Sequence, residues 1–196
     1  MRIIAGEYRG RTIRAPKGDI ARPTTDRVRE ALMSSLASAT NNFDIENVLD
    51  AFAGSGALGI EALSRGAQKA LFCERNSGVM NALTSNIKNI FTDQSRYVLL
   101  KGDVVLQTQR LAGYSFDLVF LDPPYQVDAA VIQILLEKLE SLACLAQHAI
   151  ITYEHAKTTD AVVDEIFSGQ QWTVRNVKHF GDISIHLAQY CTNKAN

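Results

Sequence analysis

Long apolar runs are missing from this chain of 196 residues: the longest uninterrupted one is the five residues from Leu142 to Ala146. That is far short of the roughly 20 that a membrane-spanning helix needs, so no membrane role is expected. The first residues, Met1-Arg2-Ile3-Ile4-Ala5-Gly6-Glu7, lack an apolar signal core and meet an acid early, which gives a cytoplasmic protein as the expectation. Cysteine is scarce. Cys73, Cys144 and Cys191 are odd in number and widely spaced, with neither a CxxC pair nor Cys/His ligand spacing, a pattern that argues against a disulfide framework and a structural zinc and for reduced thiols. With only four prolines, 46% hydrophobic and 21% charged residues, the chain is no disordered or fibrous polymer, and its length suits one globular domain.

A strong net charge is missing too, but the −1 total conceals an uneven distribution. Residues 1–30 hold eight Arg and Lys against four acids, a local balance of +4, which leaves −5 for the remainder. A basic end on an acidic body favours a polyanion at that end. Residues 1–21 are therefore read as a basic arm, built on a small hairpin of Ile3-Ile4 and Thr12-Ile13, and residues 22–196 as the main domain.

From Asn47 onward, short apolar runs alternate with helical patterns. Val48-Leu49, Ala70 to Cys73, Val98 to Leu100, Leu118 to Leu121 and Ala149 to Ile151 have the length and composition of buried parallel strands. Between them Val79, Leu83, Ile87 and Ile90, and then Ile132, Leu135, Leu136 and Leu139, recur at helical spacing. Near the end the period changes to alternation: Trp172 and Val174, a turn at Phe180-Gly181-Asp182, then Ile183, Ile185 and Leu187. The reading is an α/β, Rossmann-like fold with a seven-stranded, mostly parallel sheet closed by a terminal antiparallel hairpin. After Pro23, Val28, Leu32 and Leu36 mark one face of a preceding helix, with Thr24, Thr25 or Asp26 as its cap.

Three motifs carry chemistry. The first, Asp50-Ala51-Phe52-Ala53-Gly54-Ser55-Gly56-Ala57-Leu58-Gly59, ends a strand, turns on glycines and opens a helix, so backbone amides face the mouth of the sheet. Its Gly54, Gly56 and Gly59 also match a dinucleotide fingerprint, with Glu74 placed to hold a ribose. Asp50 favours another adenosine ligand, because phosphates repel an acid at that strand end whereas the ammonium group of S-adenosylmethionine welcomes one. The second motif is the set of acids at successive strand ends, in which Glu74 and Asp103 follow Asp50 and suit the ribose hydroxyls and the adenine amino group. The third, Asp122-Pro123-Pro124-Tyr125, directly follows an apolar strand. A base's amino group is a poor nucleophile because its lone pair is delocalised. The Asp122 carboxylate and the Pro123 carbonyl are acceptors for its two hydrogens, Pro124 stiffens the turn, and Tyr125 offers a face for an extruded base.

These motifs resemble those of class I S-adenosylmethionine-dependent methyltransferases that methylate amino groups. More narrowly, Arg2 to Gly6 with Arg9-Gly10-Arg11, Arg22 to Leu32, and Asp50 to Ala67 resemble the bacterial 16S rRNA guanine-N(2)-methyltransferase family known as RsmD. The resemblance implies methylation of the 2-amino group of one guanine in 16S rRNA, on the assembled or late-assembling small subunit, by a monomer that needs no metal and leaves S-adenosylhomocysteine. It also implies that Thr24 and Thr25, with Asp50, Phe52, Gly54, Ser55, Gly56, Glu74, Asp103 and Asp122, contact the cofactor. Arg9, Arg11, Arg14 and Arg22 are read as RNA contacts. Met33 departs from the family's common Phe, and Phe180 from its Tyr. The rival readings are a DNA adenine-N6 methyltransferase, an NAD-dependent oxidoreductase and a non-catalytic RNA-binding module. His148, His155, His179 and His186 are read as surface or pairing residues, and Glu154 is left without a role.

Overall fold

The computed structural model describes residues 1–15 and 26–191. Helix α1 (Asp26–Ala39) leads into a repeated strand–helix series: β1 (Asn47–Asp50), α2 (Ala57–Arg65), β2 (Lys69–Glu74), α3 (Ser77–Ile90) and β3 (Tyr97–Lys101). It continues through β4 (Phe116–Leu121), α4 (Ala129–Ser141), β5 (Leu145–Ala156), α5 (Asp160–Ile166), β6 (Trp172–Phe180) and β7 (Ile183–Tyr190). The helix starts follow from local chemistry. Asn76 accepts from the Gly78 and Val79 amides at 2.9 and 3.1 Å and caps α3, and Asp128 accepts from Ala130 at 2.9 Å and caps α4.

The seven strands form one sheet in the order β3-β2-β1-β4-β5-β7-β6. Strands β1 to β5 run parallel, and β7 runs antiparallel to both β5 and β6, as the change of sequence period indicates. Because successive strand residues point to opposite faces, the sheet has two cores. Val48, Ala70, Phe72, Leu118, Phe120 and Ile150 pack with Leu36 of α1, Leu63 of α2 and Leu83 of α3. Leu49, Leu71, Cys73, Val119 and Ile151 pack with Leu135 of α4 and Val163 of α5 on the opposite face. Met33 is fully buried in the first core and Phe180 packs against its edge, so both departures from the family pattern are apolar packing positions. Among the described residues, no helix is long and apolar enough to cross a membrane.

The chain leaves β3 at one edge and returns to add β4 on the other side of β1, so the connections diverge between β1 and β4. In an open α/β sheet the carboxyl ends of the strands at such a divergence leave a crevice between the loops.

The amino-terminal residues form a minimal hairpin. Arg2 bridges Thr12, with Ile3 N donating to Arg11 O at 3.0 Å and Ile13 N to Met1 O at 3.0 Å. Ile3 and Ile13 are buried in the first core, worth about 1.5–3 kcal/mol each. The hairpin lies so close to α2 that a Cβ at Gly6 would stand 1.8 Å from the Ser64 carbonyl oxygen. Gly6 also has φ +86, so two constraints require glycine there.

Candidate active site

The carboxyl ends of the adjacent strands β1 and β4 bring the motifs together. β1 ends at Asp50, which is buried and whose Oδ2 accepts from the Gly59 amide at 3.0 Å, tying the strand end to the first turn of α2. Two glycines between them have left-handed backbones, Gly54 at φ +53 and Gly56 at φ +83. The reasons for glycine differ along the turn. A Cβ at Gly59 would stand 2.4 Å from the Phe72 ring and one at Gly56 2.5 Å from Leu83 Cδ1, so Gly59 lets α2 approach β2 and Gly56 lets the turn approach α3. At Gly54 the nearest obstacle would be Phe52 O at 3.9 Å, so that residue keeps the backbone uncovered. Ser55 is buried, and its carbonyl accepts from Asn86 of α3 at 3.0 Å.

The neighbouring acids hold the rim in shape. Glu74 accepts from Gly54 N at 3.1 Å through Oε2 and from Asn76 N at 2.7 Å through Oε1, so it joins the glycine turn to the start of α3. Asp103 caps the turn beyond β3, with Oδ1 accepting from Val105 N at 2.9 Å. Asp122 follows β4, half-buried, and Pro123 to Tyr125 lead into the turn before α4, where Val127 N donates to Pro124 O at 2.9 Å. Tyr125 is 57% exposed, an unusual position for a large aromatic ring and one that offers a face to solvent.

Electrostatics separate Asp50 and Asp122 from ordinary surface carboxylates. Burial pushes Asp50 up to about 7, against the lowering pull of the Gly59 amide and with further repulsion from Glu74. Asp122 is pushed well above the usual carboxylate range, first by burial, then by the charges of Glu154 and Asp50. Two acids held in this way at neighbouring strand ends are unfavourable to folding, which makes this rim the candidate site. Asp50, which accepts from the Gly59 amide and has like charges around it, suits a cationic group far better than a phosphate. Cys73 is different: burial pushes its thiol up to about 12, so it is a core side chain and no nucleophile.

Arg22, Thr24 and Thr25 lie outside the described residues. Arg9 and Arg14 are exposed on the hairpin and its exit. Arg11 is exposed as well, but it is clasped to the body: Nη1 donates to Asn89 O at 3.3 Å and Ile90 O at 2.8 Å, and the guanidinium lies 5.2 Å from the Tyr8 ring centre. It thereby satisfies the last carbonyls of α3. Arg29, counted among the basic residues of the first thirty, is buried and donates to Arg2 O at 2.6 Å.

Two constellations were not legible in the sequence. Glu61 is fully buried in α2, where it accepts from the Ile4 and Ala5 amides at 2.8 and 3.0 Å and from Arg65 at 2.9 Å. It fastens the hairpin to the domain. On the opposite face, His155 Nε2 and His186 Nδ1 are 2.8 Å apart, and His186 Nε2 lies 3.1 Å from Asp164 Oδ1. His155 Nδ1 faces Ala156 O and Thr159 Oγ1, each at 2.9 Å, and Asp160 stands nearby at 3.9 Å. Spacing gives no warning of either group, because each is assembled from segments distant in sequence.

Residues 1–189 match the family model described as Conserved hypothetical protein 95. The ribosomal RNA small subunit methyltransferase D of Haemophilus influenzae is 34% identical over 194 residues, covering 96% of this chain and 93% of that protein. Its counterpart from Escherichia coli K12 is 33% identical, covering 96% and 89%. The solved structure of yhhF from Escherichia coli superposes with a TM-score of 0.77 at 30% identity, covering 97% of this chain and 98% of the other. The hairpin, the glycine turn and the Asp122 rim all fall inside the matched span, and the chain belongs to the Conserved hypothetical protein 95 family, that of the ribosomal RNA small subunit methyltransferases D.

Proposed function

We propose that this protein transfers a methyl group from S-adenosylmethionine to the 2-amino group of one guanine in 16S rRNA, on the assembled or late-assembling small subunit in the cytoplasm. Membership of the family supports ribosomal RNA methylation. The observation that supports the finer reading is the position of Asp122-Pro123-Pro124-Tyr125 at the end of β4, beside the end of β1 with Asp50 and the glycine turn, an arrangement suited to an amino-group acceptor next to a cationic cofactor.

Residues suited to the cofactor are present. Asp50 is the partner for its ammonium group, the uncovered backbone at Gly54 with Phe52, Ser55 and Gly56 forms the wall, Glu74 takes the ribose and Asp103 the adenine, with Thr24 and Thr25 beside the methionine end. When bound, the cofactor supplies a methyl group on a positively charged sulfur. Asp122 and the Pro123 carbonyl accept the two hydrogens of the target amine and turn its lone pair toward that methyl. Tyr125 stacks on the extruded base. The work is positioning and charge stabilisation. Arg9, Arg14 and Arg22 meet RNA phosphates, and Arg11 shapes the surface that presents them.

The test supplies methyl-labelled S-adenosylmethionine with naked 16S rRNA and, separately, with small subunits, then identifies the labelled nucleoside. Label in N(2)-methylguanosine at one position is the expected result. Label in N(6)-methyladenine of DNA, or stabilisation by NADH in place of the cofactor, would overturn it.

A further inference from the structure

Each of the five parallel strands carries an acid at its carboxyl end: Asp103 beyond β3, Glu74 on β2, Asp50 on β1, Asp122 beyond β4 and Glu154 on β5. The first four have roles in the proposed reaction, and Glu154 does not. The strand register places it next to Asp122. Leu121 pairs with Tyr153, so the residues that follow on the two strands are Asp122 and Glu154. Alternation then puts both on the sheet face that carries Phe120 and Ile150, the same face on which Asp50 meets α2. Among the described residues, the charged groups that face Asp122 are Asp50 from β1 and Glu154 from β5. Glu154 is half-buried, so its charge is incompletely screened by water.

The proposed reaction has a proton to dispose of. The nitrogen lone pair forms the N–C bond, the C–S electron pair stays on sulfur, and the nitrogen, now positive, gives up one hydrogen as a proton. We propose that Glu154 is the positioning carboxylate of this step: it shares with Asp122 the proton that the methylated amine releases. Both groups are ionised in the reactive state. Asp122 accepts the amine's hydrogen bond and then its proton, and the new carboxylic acid donates to the Glu154 carboxylate. Two carboxylates side by side in a partly dry site hold a first proton tightly because both cannot comfortably remain charged. Glu154 thereby makes Asp122 a better proton acceptor without touching the base.

The inference rests on the methyltransferase reading above, so its test has one arm that needs no turnover. Carboxyl-carbon NMR titration of Asp122 in the cofactor-bound protein, without RNA, is compared between wild type and Glu154→Gln. Removal of the charge is expected to move the Asp122 titration down by about one pH unit or more. In single-turnover methylation of small subunits, the acid limb of the pH profile moves down with it, and the plateau rate falls by about tenfold. Cofactor affinity, read by thermal shift, stays at the wild-type value, and Glu154→Asp restores part of the wild-type limb. An Asp122 titration and a pH limb that superpose on wild type in Glu154→Gln would overturn the proposal. A wild-type protein that labels no ribosomal RNA would instead overturn the reading beneath it, with the Asp122 titration still reporting on the pair.

Discussion

Glu61 and Asp50 are both buried acids, at 0% and 2% exposure, on either side of Gly59, yet they belong to regions of opposite character. Glu61 is surrounded by donors: two amides from the hairpin and the Arg65 guanidinium. Asp50 accepts from the Gly59 amide and shares its surroundings with Glu74 and Asp122. A buried charge that the protein answers completely is a fastening. A buried charge set among others of its own sign costs stability. The histidines beneath α5 resemble the first kind. They are about as deeply buried as Asp50, but their ring nitrogens reach protein partners at 2.8 to 3.1 Å.

If the two regions differ in this way, substitutions in them should separate activity from stability. The largest effect belongs to the rim: Asp122→Asn should lower the single-turnover methylation rate by about a thousandfold, while urea unfolding shows equal or greater stability. A variant that unfolds more readily would place Asp122 with the fastenings. Glu61→Ala should do the reverse. Loss of the carboxylate leaves Arg65 and two amides without it, and urea unfolding should report about 3–5 kcal/mol of lost stability, with cofactor affinity per folded molecule unchanged.

Asp50→Asn joins both measurements through pH. Because burial raises Asp50 to about 7 in the folded protein, the native state holds a proton that the unfolded chain has already released. The stability of the cofactor-free wild type therefore declines as pH rises from the ordinary carboxylate range to about 7. The Asn variant lacks that decline, so its melting temperature should gain on wild type as pH rises, while its affinity for the cofactor falls. Equal cofactor affinity in the two proteins would break the comparison.

The smallest effect is expected at His155, which burial pushes below its ordinary value. Its contribution is present above the unfolded histidine value of about 6.5 and is lost as pH falls through the folded one. His155→Gln should flatten the acid side of the melting-temperature profile. His186, Asp160, Asp164 and Tyr153 face this residue and remain in place in that comparison.

The rim was legible because its parts are local. The glycine turn and Asp50 occupy ten consecutive residues, and the Asp-Pro-Pro-Tyr turn four, so strand, turn and helix signals frame each without knowledge of the remainder. Strand lengths were less so. β5 runs for twelve residues where its apolar run shows three, because its last residues gain a partner in β7 that lies far along the chain. Helix α5 has seven residues and one buried apolar side chain, too little for a periodic signal. The charge of the first thirty residues was visible as a sum, but nothing in the sequence said that Arg29 turns inward or that Arg11 clasps α3.

The sequence by itself determined the alternation of strand and helix, the antiparallel ending and the identity of the acids at the strand ends, since each depends on period or on neighbours a few residues away. Only the tertiary structure decided which charges meet donors and which stand beside others of their own sign. Glu61 meets Ile4 across 57 positions and His155 meets His186 across 31, while Glu154 reaches Asp122 by the register of two strands. The sign and worth of a buried charge depend on what stands within a few ångströms of it, and that distance is set by the packing of segments that have no relation in sequence.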